Sequence, residues 1–240
     1  LTKKLDVKRL CLVGATGLVG RSVIEHAVNR WDIRIVAVAR REMPLPKGSR
    51  MEMLVADPSA WSDAIAASNA GVLVCALGTT MRKSGGDREV FRAVDHDLVM
   101  AAVRAAKEAG IDHAIVVSSV GADPAARNDY LRVKGETEIA LNKLGLRRLD
   151  ILHPGLLVGA RQEARPLEKL AMWLSPVLDR FLRGKYRQYR SIKVGSLADA
   201  ILALAKQKAG GRFVHDQASM VRAIRRAGDD LAESAGSRLT

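Results

Sequence analysis

Tyr130 and Lys134 stand four residues apart in "NDYLRVKGETE", residues 128 to 138, at what reads as the start of a helix. A four-residue step stacks two side chains on one helical face. The ammonium can then sit beside the phenol, favour its ionised form and make it a stronger acid. Many solvated amphipathic helices share this spacing, so the pair alone leaves both readings open. A second candidate is "LCLVGATGLVG", with Gly14, Gly17 and Gly20 between a strand-like run and a helical one. Glycines there let backbone N–H groups approach a pyrophosphate, and the helix N-terminus stabilises its charge. The spacing is G-x-x-G-x-x-G, and a purely structural turn is the alternative. A third is "VARRE", where Arg40 and Arg41 close the second apolar run. NAD-binding folds put a carboxylate there for the ribose hydroxyls, about twenty residues beyond the glycines. Two guanidiniums suit a 2′-phosphate instead. The pattern selects NADP(H) over NAD(H), with Glu42 on the ribose as the competing possibility.

Strand and helix must alternate to place these groups together, and the sequence shows that alternation. "RLCLVG" reads as a buried strand, followed by the glycine turn and the helical "GLVGRSVIEHAVNR". "DIRIVAVARR", "RMEMLVADPS" and "AGVLVCALG" read as further strands, with the helical "SAWSDAIAASNA" before the last of them. One long helix is expected over "REVFRAVDHDLVMAAVRAAKEAG", closed by Gly110. "DHAIVVSSVGA" is a fifth strand, the Tyr130 segment a helix, and "RRLDILHPGLLVG" a sixth strand. Continuous apolar strands imply burial on both sheet faces. The expectation is an α/β doubly wound parallel sheet of Rossmann type, one domain over residues 1–240, with about 160–240 forming a small helical substrate-side region. Beyond residue 160, Leu167 to Leu182 repeats at helical spacing with a break at Ser175 and Pro176. Two more helices are expected at "GSLADAILALAKQK" and "SMVRAIRRAGDDLAES".

Composition narrows the classes. The longest strongly apolar run is too short to span a bilayer, and the opening "LTKKLDVKRL" lacks a signal peptide's apolar region, which places the protein in the cytoplasm. Cys11 and Cys75 fall in strand-like runs and read as buried thiols, and five scattered histidines make no metal site. The net charge of +13 invites anionic partners. Part of it lies in "RFLRGKYRQYRSIK", residues 180 to 193, read as a solvated basic loop; no recognition motif accompanies it, so nucleic acid is not expected as a partner. The apolar stripe is compatible with a homodimer and with a monomer.

Taken in order, "GATGLVG", the two arginines, "LGTT", "VVSSVGAD", "YLRVKGETE", "HPGLLVGARQEAR" and "AIRRA" resemble the short-chain dehydrogenase/reductases, specifically their atypical, Tat-interacting-protein-like branch of NAD(P)H-binding proteins. The resemblance covers roughly residues 8 to 225. It implies a cofactor bed of Gly14, Thr16, Gly17, Leu18, Val19 and Gly20, with Arg40 and Arg41 at the adenosine phosphate. It further implies Leu77, Gly78, Thr79 and Thr80 on the ribose side, Pro154, Gly155 and Leu157 near the nicotinamide, and Arg165 as another contact. Tyr130 becomes the general acid for a carbonyl oxygen, Lys134 its partner and a ribose ligand, and Ser119 the donor to the substrate oxygen, with Ser118 as its rival. Two departures stand out. An asparagine usual on the preceding helix is absent, with Asp95 near that place, and His153 replaces the usual arginine before Pro-Gly. His153 reads as tolerated variation.

These residues imply an NADP(H)-dependent oxidoreductase acting on a small carbonyl or alcohol. The alternative is an NADPH-binding redox sensor with little or no turnover.

Overall fold

The computed structural model describes residues 7–49, 51–158 and 191–236. Seven parallel strands form its centre in the order β3-β2-β1-β4-β5-β6-β9, where β1 is Lys8–Val13, β2 Ile33–Ala39, β3 Met51–Val55, β4 Val72–Cys75, β5 His113–Val117, β6 Arg148–Leu152 and β9 Gly211–His215. Leu10, Cys11, Leu12 and Val13 are all fully buried, as a continuous apolar run at the middle of a two-faced sheet must be. Leu10, Leu12 and Ile115 face the layer of α1 (Leu18–Ala27), α6 (Val194–Leu204) and α7 (Gln217–Gly236). Cys11, Leu73 and Ile151 face α2 (Trp61–Ala67), α4 (Val99–Glu108) and α5 (Asp129–Asn142). Each such leucine or isoleucine contributes about 2 kcal/mol by leaving water. Burial pushes both thiols, Cys11 and Cys75, up to about 11.

The strand order reverses between β1 and β4, and ligands of open parallel sheets bind beyond the strand ends at such a switch point. The doubly wound expectation therefore holds. Three local expectations change. The long helix is α3 (Arg88–Arg92), a π turn (Ala93–Leu98) and α4 in succession, so its hydrogen-bond register is interrupted. The sixth strand stops at Leu152, because Pro154 cannot continue a ladder as a donor; Leu157–Val158 (β7) pairs instead with Ile192–Lys193 (β8), the end of the basic run. Gly211–His215 is a seventh strand that no apolar run announces. Arg165, the apolar stripe and the rest of the basic run lie outside the described residues.

On one face of β5, β6 and β9 lies a buried polar cluster. His113 Nε2 is 2.8 Å from Asp150 Oδ2 and His215 Nε2 is 2.7 Å from Oδ1. Arg148 donates through Nε and Nη2 to the same carboxylate, each at 2.7 Å, and its guanidinium stacks 4.5 Å above the Phe213 ring. Asp150 has no exposed surface. A buried carboxylate is tolerated when every oxygen has partners.

Candidate active site

The glycine turn joins β1 to α1 against the end of β4. Gly14 has φ +91°, and a Cβ there would come within 2.5 Å of the Ala76 carbonyl, so only glycine fits. Gly20 packs against the Gly14 carbonyl in the same way, bringing the helix onto the turn. Gly17 occupies the N-cap of α1 without any side-chain cap, and the first turn carries no acid. Its backbone N–H groups and positive dipole end are therefore available to an anion. Thr16 and Leu18 are half-buried beside it, and Val19 anchors the turn in the core. Arg40 and Arg41 follow β2 directly and are exposed, as is Glu42. This cradle fits a dinucleotide pyrophosphate, with two guanidiniums at the neighbouring strand end.

Leu77 to Thr80 leave β4 on the other side of the switch point. Thr79 N–H donates to Asp95 Oδ2 at 2.7 Å, and Thr80 Oγ1 accepts from Lys83 N–H at 3.2 Å. Gly78 lies against Asp95 and Lys134: a Cβ there would make ordinary contact with Asp95 Oδ1 at 3.4 Å and Lys134 Nζ at 4.0 Å.

Asn128 caps α5 by accepting from Leu131 N–H, which starts the helix just before Tyr130. The Tyr130 ring packs on Phe91 at 5.5 Å between centroids and is half-buried. Lys134 is buried, with Nζ 2.8 Å from Asp95 Oδ1 and 3.5 Å from the Val117 carbonyl. Asp95 is supplied by the π turn, and its own carbonyl accepts from Thr137 Oγ1 at 3.2 Å. Burial works to lower the Lys134 pKa, but the Asp95 carboxylate and the neighbouring Tyr130 and Cys75 outweigh it and hold it above ordinary lysine. The place of the missing asparagine is thus taken by a counter-ion. Asp95→Asn keeps the shape and removes the charge, so Lys134 will lose its proton at a lower pH than in the wild type. Dinucleotide titrations at neutral and alkaline pH check this: binding by the variant weakens at a pH where the wild type is unchanged.

Ser118 is buried and donates to Glu138 Oε1, which also lies 2.8 Å from His153 Nε2. Ser119 is half-buried, with its hydroxyl 3.3 Å from the Val120 carbonyl. Pro154 is buried, Gly155 and Leu157 half-buried, and Pro154 O accepts from Val120 N–H at 3.1 Å. Sequence reasoning passed over Glu138, although Tyr130, Lys134 and Glu138 recur every four residues, the step that keeps one helical face.

A doubly wound sheet with an uncapped glycine turn at its switch point and a Tyr-Lys helix after β5 is the dinucleotide-binding fold of the short-chain dehydrogenase/reductases. The chain belongs to the NAD(P)H-binding family, whose profile matches residues 14–208, and it is an atypical member of that superfamily. It is 37% identical over 157 residues to "Protein FMP52, mitochondrial" of Saccharomyces cerevisiae, spanning 64% of this chain and 68% of that protein. The Candida albicans protein of the same name is 30% identical over 236 residues, spanning 94% and 97%. Among solved structures, MoeE5 in complex with UDP-glucose and NAD superposes with a TM-score of 0.66 at 19% identity, covering 86% of this chain and 74% of that one. The mitochondrial names of these relatives overturn the expectation of a cytoplasmic protein. A search for an apolar run says nothing of mitochondrial targeting, because the segments that direct proteins there are basic and amphipathic.

Proposed function

We propose that the protein is an NADP(H)-dependent oxidoreductase of the short-chain dehydrogenase/reductase type, acting in the mitochondrion on a small carbonyl or alcohol. The observation that carries this is the buried Lys134–Asp95 ion pair one helical turn on from Tyr130 and within electrostatic reach of it, since a cofactor-binding surface alone needs no phenol near a fixed ammonium. Gly14, Thr16, Gly17, Leu18, Val19 and Gly20 hold the pyrophosphate, and Arg40 and Arg41 the adenosine 2′-phosphate. Leu77 to Thr80, Lys134, Pro154, Gly155 and Leu157 line the nicotinamide half. When bound, the nicotinamide supplies or accepts the hydride. Tyr130 Oη gives its proton to the substrate oxygen or takes it back, Lys134 stabilises the phenolate left behind, and Ser119 Oγ donates to the same oxygen.

NADPH consumption against a panel of small aldehydes and ketones tests the activity; tight binding without turnover on any of them would favour a redox sensor. Calorimetry tests the cofactor preference. A charge-assisted hydrogen bond contributes about 1.5–3 kcal/mol, so Arg40→Ala will lower the ratio of NADPH to NADH affinity by roughly tenfold or more. An unchanged ratio refutes the 2′-phosphate role.

A further inference from the structure

Ser118 directly follows β5 and His153 directly follows β6. The two strand ends stay linked past their last ladder residues, with Ser118 N–H donating to Leu152 O at 2.9 Å and Val120 N–H to Pro154 O at 3.1 Å. These ends bear Ser119 and the Pro154–Gly155 corner, the groups assigned above to the substrate oxygen and the nicotinamide. Glu138 reaches both ends from α5: one oxygen, Oε1, takes the Ser118 hydroxyl and the His153 ring. All three side chains are largely buried, Glu138 with 14% and His153 with 20% of its side chain exposed. Successive side chains of an extended segment point to opposite sides. With Ser118 held on Glu138, the alternation of β5 carried two residues past its end puts Ser119 on the other side, toward the cleft.

We infer that Glu138 is a positioning residue that clasps the ends of β5 and β6, turning Ser119 toward the substrate and fixing the Pro154–Gly155 corner. The catalytic consequence rests on the oxidoreductase reading; the clasp itself does not. Tyr130, Lys134 and Glu138 then act from one face of one helix, the first on the reacting oxygen, the second on the phenol, and the third on the ends of β5 and β6. His153 serves as its second ligand, which gives that departure from the family pattern a purpose: a ring nitrogen takes the place of a guanidinium.

Hydrogen exchange of the ligand-free protein tests the clasp without any turnover. Glu138→Ala is expected to speed exchange at the Ser118, Val120 and His153 amides by about tenfold, the equivalent of one weak hydrogen bond, with β1 amides unchanged. Glu138→Gln, which keeps an acceptor oxygen, restores protection. Exchange that is unaltered, or that rises equally in β1, overturns the inference. In turnover, Glu138→Ala lowers kcat roughly tenfold with dinucleotide Kd within about twofold. Its effect is not additive with Ser119→Ala, because contacting residues that act through one another couple; strict additivity refutes the route through Ser119. If the exchange result holds while the wild type turns over no carbonyl, the clasp stands and the oxidoreductase assignment falls.

Discussion

Tyr130→Phe is expected to lower kcat by roughly 10²–10⁴-fold, the range that a positioned general acid supplies, while dinucleotide affinity stays within about twofold. The substitution removes one oxygen and leaves the ring that packs on Phe91 at 5.5 Å. The Lys134–Asp95 pair keeps its 2.8 Å contact, so the ribose side of the cleft and the fold are untouched. Loss of turnover with intact binding then isolates proton transfer from cofactor retention. A variant that keeps more than about a tenth of wild-type kcat shows that another group carries the proton. Lys134 is no substitute, because its ammonium is buried and engaged by Asp95.

Asp150→Ala is expected to cost about 3–5 kcal/mol of stability at neutral pH, the scale on which removing one partner from a buried ionic group acts. It would leave Arg148, His113 and His215 facing an apolar gap. The same carboxylate sets the acid limit of the fold. Burial works to raise its pKa, but the hydrogen bonds from His113, His215 and Arg148 outweigh that and hold it far below the usual carboxylate range. A group whose folded pKa is depressed stabilises above its unfolded pKa, about 3.9 for aspartate. That stability disappears as pH falls below this value toward the folded one. Denaturant unfolding across acidic pH will show wild-type stability declining below roughly pH 4, and a flatter decline in Asp150→Asn. Equal slopes for the two proteins would show that other carboxylates set the acid limit.

The elements legible in the sequence are those whose burial is continuous. β1, β2, β4 and β5 each hold a run of consecutive buried apolar residues, and the Gly14, Gly17 and Gly20 turn has a steric cause that sequence states directly. β9 escaped notice because "GRFVH" holds only two large apolar residues, and its inward His215 is satisfied by Asp150, whose own strand is far away in sequence. The π turn escaped because a wider turn inserted in a helix leaves the apolar spacing on either side intact. Only the meeting of Asp95 with Lys134 reveals it, and such turns recur at functional sites. Strand alternation alone leaves Ser118 and Ser119 as rivals; the proposal of Ser119 rests on the bond from Ser118 to Glu138, a residue with no motif of its own. The cytoplasmic expectation failed for a different reason, since it tested for one kind of leader and drew a conclusion about all.

Cys11 and Cys75 are the chain's two cysteines, and burial holds both thiols near 11. At neutral pH only about one in ten thousand would be thiolate, the form that attacks peroxides and disulfides. Both are sealed inside the sheet next to the dinucleotide cradle. Oxidants in the solvent therefore meet neither sulfur in its reactive form, and under the oxidoreductase proposal the redox chemistry of this domain falls to the bound dinucleotide alone.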